Sequence, residues 1–256
     1  MSKPIAEIIE VTKSYRLDAV DVPVLNGINL TVRRGVFTLI LGPSGSGKTT
    51  LLNLIGCIDR PDAGEVRVAG RSVNTLDDDA LADFRARSIG YVFQNFNLIP
   101  VLSAYENIEY PMLLAGVAPE RRARFVKKLL EKVGLSDRGR NLPGQLSGGQ
   151  RQRVAVARAL AGAPSLVICD EPTANLDSAT GAEIVALMRR MQRSFKVSFV
   201  FSSHDPALVQ IADDVIHLRD GVIQSIRSNA PPPNQVAEPE PDPDFLDTEP
   251  GAEGLV

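Results

Sequence analysis

The chain has 256 residues, 44% of them apolar and 23% charged, which is ordinary globular usage with enough apolar side chains for a substantial core. Apolar runs such as Val36–Leu41 fall far short of the ~20 residues that span a membrane, and MSKPIAEIIEV at the N-terminus has no apolar leader region, so neither an integral membrane protein nor a secreted one is expected. The net charge of −3 conceals a body at +4 (28 basic against 24 acidic residues up to position 230), a mild excess that gives no reason to expect a nucleic-acid partner.

In chain order, the first clear element is the alternation of Ile28, Leu30 and Val32 with Asn29, Thr31 and Arg33, the pattern of a half-buried strand. Val36–Leu41 follows without alternation, as a central strand of a parallel sheet buried on both faces. It runs into Gly42-Pro43-Ser44-Gly45-Ser46-Gly47-Lys48-Thr49, a complete GxxxxGK[ST] phosphate loop, and then into a helical run, Thr50–Ile55. The glycines let backbone N–H groups turn inward around phosphate oxygens, and the helix start adds partial positive charge. Lys48 can reach the β- and γ-phosphates, and the Thr49 hydroxyl can ligate Mg²⁺.

Asp62–Val73 reads as a hairpin with Asp-Ala-Gly and Ala-Gly as turn signals, and Glu120–Val133 as an amphipathic helix. The apolar face of that helix is Ala123, Phe125, Val126, Leu129, Leu130 and Val133, with its basic residues solvated. Leu146-Ser147-Gly148-Gly149-Gln150 precedes a helix over Gln150–Ala161 and offers a second anion-binding helix start. The phosphate loop already serves the γ-phosphate of its own subunit. A second such element makes sense if it completes the site of another copy, in a head-to-tail, two-fold dimer around two ATP.

Leu166–Cys169 is a second non-alternating strand, and it places Asp170 at its tip, where the carboxylate can hold Mg²⁺ through water. Glu171 beside it is suited to deprotonate an attacking water. An Asp-Glu pair gains this meaning by sharing a chain with the phosphate loop, and together they indicate Mg-dependent nucleoside triphosphate hydrolysis. Val197–Phe201 is a third buried strand; ligands of open α/β sheets sit at such carboxyl ends. The only cysteines, Cys57 and Cys169, make neither a disulfide scaffold nor a zinc site, so a reducing cytosol is expected. Folded structure should end near Ile226. The remaining segment, with seven acidic residues, seven of the 18 prolines and no basic residue, reads as a disordered tail over 229–256.

With these motifs in this order, residues 6–226 resemble the nucleotide-binding subunit of ATP-binding cassette (ABC) transporters. The resemblance implies an α/β fold: a P-loop cassette with a RecA-like parallel-sheet core, an antiparallel β subdomain and an α-helical signature subdomain near 95–160, all within residues 1–228. It implies that Tyr15 stacks on adenine, and that Gln94, after Tyr91–Phe93, touches Mg²⁺ or the attacking water. On the same basis Thr50 joins the nucleotide contacts, Asp177 in Ala174-Asn175-Leu176-Asp177 crosses a dimer interface, and His204 in Ser-Ser-His-Asp contacts the γ-phosphate. His217 is expected to be structural.

Tyr91–Pro100, Ser103–Asn107, Pro111–Gly116 and Glu171–Asp177 are similar to the ATPases of the lipoprotein-releasing, macrolide-exporter and FtsE groups. The implied partners are a second copy of the chain, an FtsX-like permease and a periplasmic adaptor, with no nucleic acid. The implied location is peripheral, on the cytoplasmic face of the inner membrane. Transport, FtsE-like mechanotransmission and a soluble ABC ATPase share this chemistry. The last usually brings a long coiled-coil insertion or a second cassette, and neither appears here.

Overall fold

A computed structural model describes residues 3–18 and 20–229. The elements are β1 (Ala6–Leu17), β2 (Val20–Val32), β3 (Phe37–Leu41), α1 (Lys48–Ile55), β4 (Ala63–Val68), β5 (Arg71–Ser72), α2 (Asp78–Ser88) and β6 (Ile89–Val92). They continue with α3 (Ala104–Leu114), α4 (Pro119–Lys132), α5 (Gly148–Ala161), β7 (Leu166–Cys169), α6 (Ser178–Phe195), β8 (Ser198–Ser203), β9 (Asp214–Arg219) and β10 (Val222–Ser228).

Among the described residues six strands form one sheet in the order β10-β9-β3-β8-β7-β6, parallel except for β10. The non-alternating runs occupy its interior: every residue of β7 and β8 is buried, as are four of the five in β3. Alternate residues of these strands enter different apolar clusters. Phe37, Leu39, Val167 and Phe201 pack with α3, α4, α5 and α6, whereas Ile40, Ile168 and Val200 pack with α1 and the second sheet. That second sheet is antiparallel, in the order β2-β1-β4-β5. Ile28, Leu30 and Val32 are buried beneath it and Asn29 and Thr31 are exposed, which is the alternation read from the sequence.

Helix starts follow local chemistry. Asp77 caps α2 by accepting the Ala80 N–H, and Ser103 with Glu106 forms a capping box on α3. Asn107 in α3 is fully buried: its amide donates to Ile99, Leu102 and Ser103 carbonyls and accepts the Ile99 N–H. It thereby fixes the loop between β6 and α3.

Four expectations shift. The α4 face is Phe125, Val126, Leu129 and Leu130, followed by buried Val133, but Ala123 is exposed, because it lies off the stripe that meets the core. Among its basic residues, Arg122 is not simply solvated; it pairs with Glu109 at 2.8 Å. In the 62–73 hairpin only two residue pairs join β4 to β5, and β4 pairs mainly with β1. Folded structure runs past Ile226 to Asn229, whose amide donates to the Val209 and Ala212 carbonyls. The rest of the 229–256 segment lies outside the described residues. Among the described residues no helix is long and apolar enough to cross a membrane.

Candidate nucleotide site

The buried strand β3 delivers residues 42–47 to the start of α1, and close approach makes two glycines necessary. A Cβ on Gly42 would stand 2.2 Å from the Leu218 carbonyl oxygen. Gly47 has φ +98, and a Cβ there would meet Leu25 Cδ2 at 2.9 Å. Pro43, Ser44 and Gly45 are exposed at the loop's tip, while Ser46, Lys48 and Thr50 are buried and Thr49 faces outward. Lys48 Nζ donates to the carbonyls of Gly42 (3.0 Å) and Pro43 (2.9 Å), which curls the loop around the ammonium.

The tips of β7 and β8 meet this loop. Thr49 Oγ1 donates to Asp170 Oδ2 at 2.9 Å, and Lys48 Nζ lies 3.5 Å from Glu171 Oε1. His204 Nδ1 is 3.7 Å from the same carboxylate oxygen. Glu171 adopts φ 42, a left-handed conformation that non-glycine residues rarely hold. Its N–H is held by Ser202 Oγ (2.9 Å), and the Ser202 hydroxyl donates to Asp170 Oδ1 (2.7 Å). Ser202, fully buried, therefore orients the Asp170 carboxylate and fixes the Glu171 backbone. It is absent from the sequence-derived set; the available signal was the polar pair Ser202-Ser203 that follows the apolar run Phe199–Phe201.

Thr49 and Asp170, which the structure brings together, are hard oxygen donors that suit Mg²⁺, and the amide oxygen of Gln94, expected to join them, is of the same kind. Among the described residues no cluster of three or more His, Cys, Asp or Glu could hold a metal without help. The set thus fits an ion that shares its shell with phosphate oxygens and water, the usual habit of Mg²⁺. Burial pushes the Cys57 thiol up to about 12 and the Cys169 thiol well above its ordinary value, so both stay protonated and serve as core residues.

Gln94 is exposed, and its carbonyl accepts from Asn175 Nδ2 at 3.1 Å. Asp177 caps α6 through the Thr180 N–H (3.0 Å), and Thr180 holds its carboxyl below the usual range. Ser147 and Gln150 form a capping box that opens α5. Among the described residues no hydrogen bond or ion pair joins Ser147, Gly148, Gly149 or Gln150 to the phosphate loop. They meet the Asp177 segment instead: a Cβ on Gly149 would stand 2.6 Å from Thr180 Cγ2 and one on Gly148 3.3 Å from Leu176 Cδ2. Tyr15 is half-buried and donates to Asp59 Oδ2 at 2.9 Å, with Lys13 Nζ 5.3 Å from its ring centroid. His217 lies within β9, paired with Leu41.

A phosphate loop wired through a hydroxyl to one strand-tip carboxylate, with a second carboxylate alongside, defines a P-loop nucleoside triphosphatase. The comparisons narrow the class. The family model described as ABC transporter matches residues 25–174. The chain is 49% identical over 224 residues to the lipoprotein-releasing system ATP-binding protein LolD of Anaeromyxobacter dehalogenans, covering 87% of this chain and 94% of that one. It is 47% identical over 220 residues to the macrolide export ATP-binding/permease protein MacB of Syntrophobacter fumaroxidans, which spans 85% of this chain but 31% of MacB. Among solved structures, the dimeric ATP-binding cassette MJ0796 in a post-hydrolysis state bound to ADP and Pi aligns with TM-score 0.80 and 38% identity, over 88% of this chain and 99% of that one. The chain belongs to the ABC transporter family, as one of its ATP-hydrolysing cassettes.

Proposed function

We propose that this cassette is the motor of an exporter-type complex, in which two copies close head to tail around two ATP and so drive an FtsX-like permease. The carrying observation is the junction of Thr49 with Asp170 and of Glu171 with Lys48 and His204. In this reading the backbone amides of residues 42–50 and the Lys48 ammonium bind the β- and γ-phosphates, and Tyr15 stacks on adenine. Thr49, Asp170 and Gln94 would hold Mg²⁺, which when bound neutralises charge on the phosphate oxygens. Glu171 accepts the proton of the attacking water, and His204 contacts the γ-phosphate.

Ser147, Gly148, Gly149 and Gln150 of one copy close on the nucleotide held by the other, with Asp177 at the interface. Two features support this: among the described residues their helix start makes no hydrogen bond or ion pair to the phosphate loop of its own subunit, and the related MJ0796 cassette is dimeric. The cassette occupies 1–228, its signature subdomain about 95–160, and the acidic tail follows. Replacing Lys48 with Ala is expected to weaken ATP binding at least about ten-fold, since a hydrogen bond to a charged group is worth ~1.5–3 kcal/mol. Titration with a fluorescent ATP analogue checks this; unchanged affinity removes Lys48 from the site.

Support for the permease comes from MacB, whose name joins ATP-binding and permease functions in one chain, and from exposed apolar side chains around α3. Val101, Tyr110, Leu113 and Leu114 are exposed, Leu114 at 70%. Such a patch marks an interaction surface. The complex would place the chain on the cytoplasmic face of the cell membrane, with a periplasmic adaptor as a further partner and no nucleic acid. The test is purification of the tagged chain from detergent-solubilised native membranes, with its partners identified by mass spectrometry. An FtsX-like permease is expected, and Leu114→Glu should lose it while keeping the ATP turnover of the purified chain. Recovery of ribosomal or DNA-repair proteins alone would overturn the motor reading and leave the ATPase chemistry standing.

A further inference from the structure

The segment that carries Gln94 is held in a conformation its own residues resist. After β6 the chain turns through Phe96 at φ 63 and Asn97 at φ 47. Asparagine tolerates the left-handed region, but phenylalanine has no local polar group to offset the clash of its Cβ with the backbone. Two such residues in succession persist only if their surroundings impose them.

The support comes from α5. Arg158 donates from its two terminal nitrogens to the Phe96 carbonyl (2.9 Å) and the Asn97 carbonyl (2.5 Å). Arg151 lays its guanidinium over the Phe96 ring, 5.1 Å from the centroid. Among the described residues Arg158 has no carboxylate partner, and burial lowers its pKa from the ordinary value. A partly desolvated cation is thus committed to two adjacent carbonyls of one strained turn. From the opposite side, Asn175 donates to the Gln94 carbonyl (3.1 Å) and to Asn95 Oδ1 (2.8 Å). Gln94 therefore stands in a strap fastened at one end to the segment that follows Glu171, and at the other to the helix that Ser147 opens.

We propose that Arg158 is a positioning residue for the hydrolytic reaction: by holding Phe96 and Asn97 left-handed, it sets where Gln94 stands relative to Thr49 and Asp170. The inference rests on the role proposed above for Gln94. It requires arginine in particular, because a planar fork spans neighbouring carbonyls and the point charge of lysine does not.

The experiment compares the full-length chain with Arg158→Lys, Phe96→Gly, the double variant and Gln94→Ala. ATP turnover, equilibrium ATP binding and thermal melting are measured on each. Arg158→Lys keeps the charge and the aliphatic stem, so it should fold. Its turnover is expected to fall about ten-fold, as for ~1.4 kcal/mol of lost positioning, with ATP affinity within about two-fold of the parent. Adding Phe96→Gly should restore most of that loss, because glycine holds without support the left-handed conformation that phenylalanine resists. Wild-type turnover in Arg158→Lys, or a loss that Phe96→Gly does not reverse, overturns the proposal. Gln94→Ala separates the two layers. If it turns over normally, the role of Gln94 falls and this inference with it; if it is slow beside an unaltered Arg158→Lys, only the inference falls.

Discussion

Glu171→Gln is expected to slow ATP turnover by about 10²–10⁴-fold, the range for loss of a positioned general base, while leaving ATP binding intact. The side chain is held for the purpose: φ 42 at Glu171 turns it toward the phosphate loop, and the Ser202 hydroxyl fixes the backbone by accepting its N–H. The side chain is 24% exposed and its carboxylate stands 3.5 Å from the Lys48 ammonium, so water can reach it and the phosphates bound by Lys48 would lie close by. Glutamine keeps the shape and loses the basicity. It also removes a negative charge facing the triphosphate, and that relieves repulsion in the bound state. ATP should therefore be held longer, and the two copies should remain closed around it. Phosphate release, equilibrium nucleotide binding and size-exclusion chromatography with ATP and Mg²⁺ read the three consequences. Wild-type phosphate release would mean that another group activates the water.

The residues that could be read from the chain are those whose chemistry is encoded within a few positions. The phosphate loop carries its glycines, Lys48 and Thr49 in eight consecutive residues, and the apolar run before Asp170 announces a carboxylate at a buried strand tip. β3, β7 and β8 were equally legible, because burial on both faces leaves no alternation to confuse with a surface strand. Ser202 was not, since its role depends on β8 lying beside β7, a pairing that no local pattern states. The same holds for Arg158, whose acceptors lie 61 and 62 residues earlier in the chain. Asp213 and Asp214 look like a solvent-facing pair in Ala-Asp-Asp-Val, yet both are buried. Asp214 takes a bidentate contact from Arg33, 181 residues away, at 2.8 and 2.7 Å. Buried charges of this kind are set by tertiary partners and carry no periodic signature.

Asp213→Ala is expected to produce the largest loss of stability away from the nucleotide, about 3–5 kcal/mol, the usual effect of removing one partner of a buried ion pair. The carboxylate is 9% exposed as a residue and accepts the Phe37 N–H at 2.8 Å, at the first residue of β3. Both of its oxygens take hydrogen bonds from Arg189 of α6, whose guanidinium also lies 5.5 Å from the Phe37 ring centroid. Arg189 in turn contacts Gln192, and Gln192 donates to the Gly35 carbonyl at 2.6 Å. Alanine would leave the Phe37 N–H without its acceptor and the guanidinium without its counter-charge, in a place water reaches poorly. For a domain whose whole stability is ordinarily ~5–15 kcal/mol, this is a large fraction. Urea unfolding followed by circular dichroism should show a lower midpoint with an unchanged slope. The effect should extend to function, because β3 leads directly into the phosphate loop: fraying at Phe37 loosens the strand that aims Gly42 and Lys48. ATP should therefore recover part of the lost stability by binding the native state alone. A midpoint within about 0.5 kcal/mol of the parent would show that the network around Arg189 closes over the gap, and that β3 is held by its strand neighbours instead.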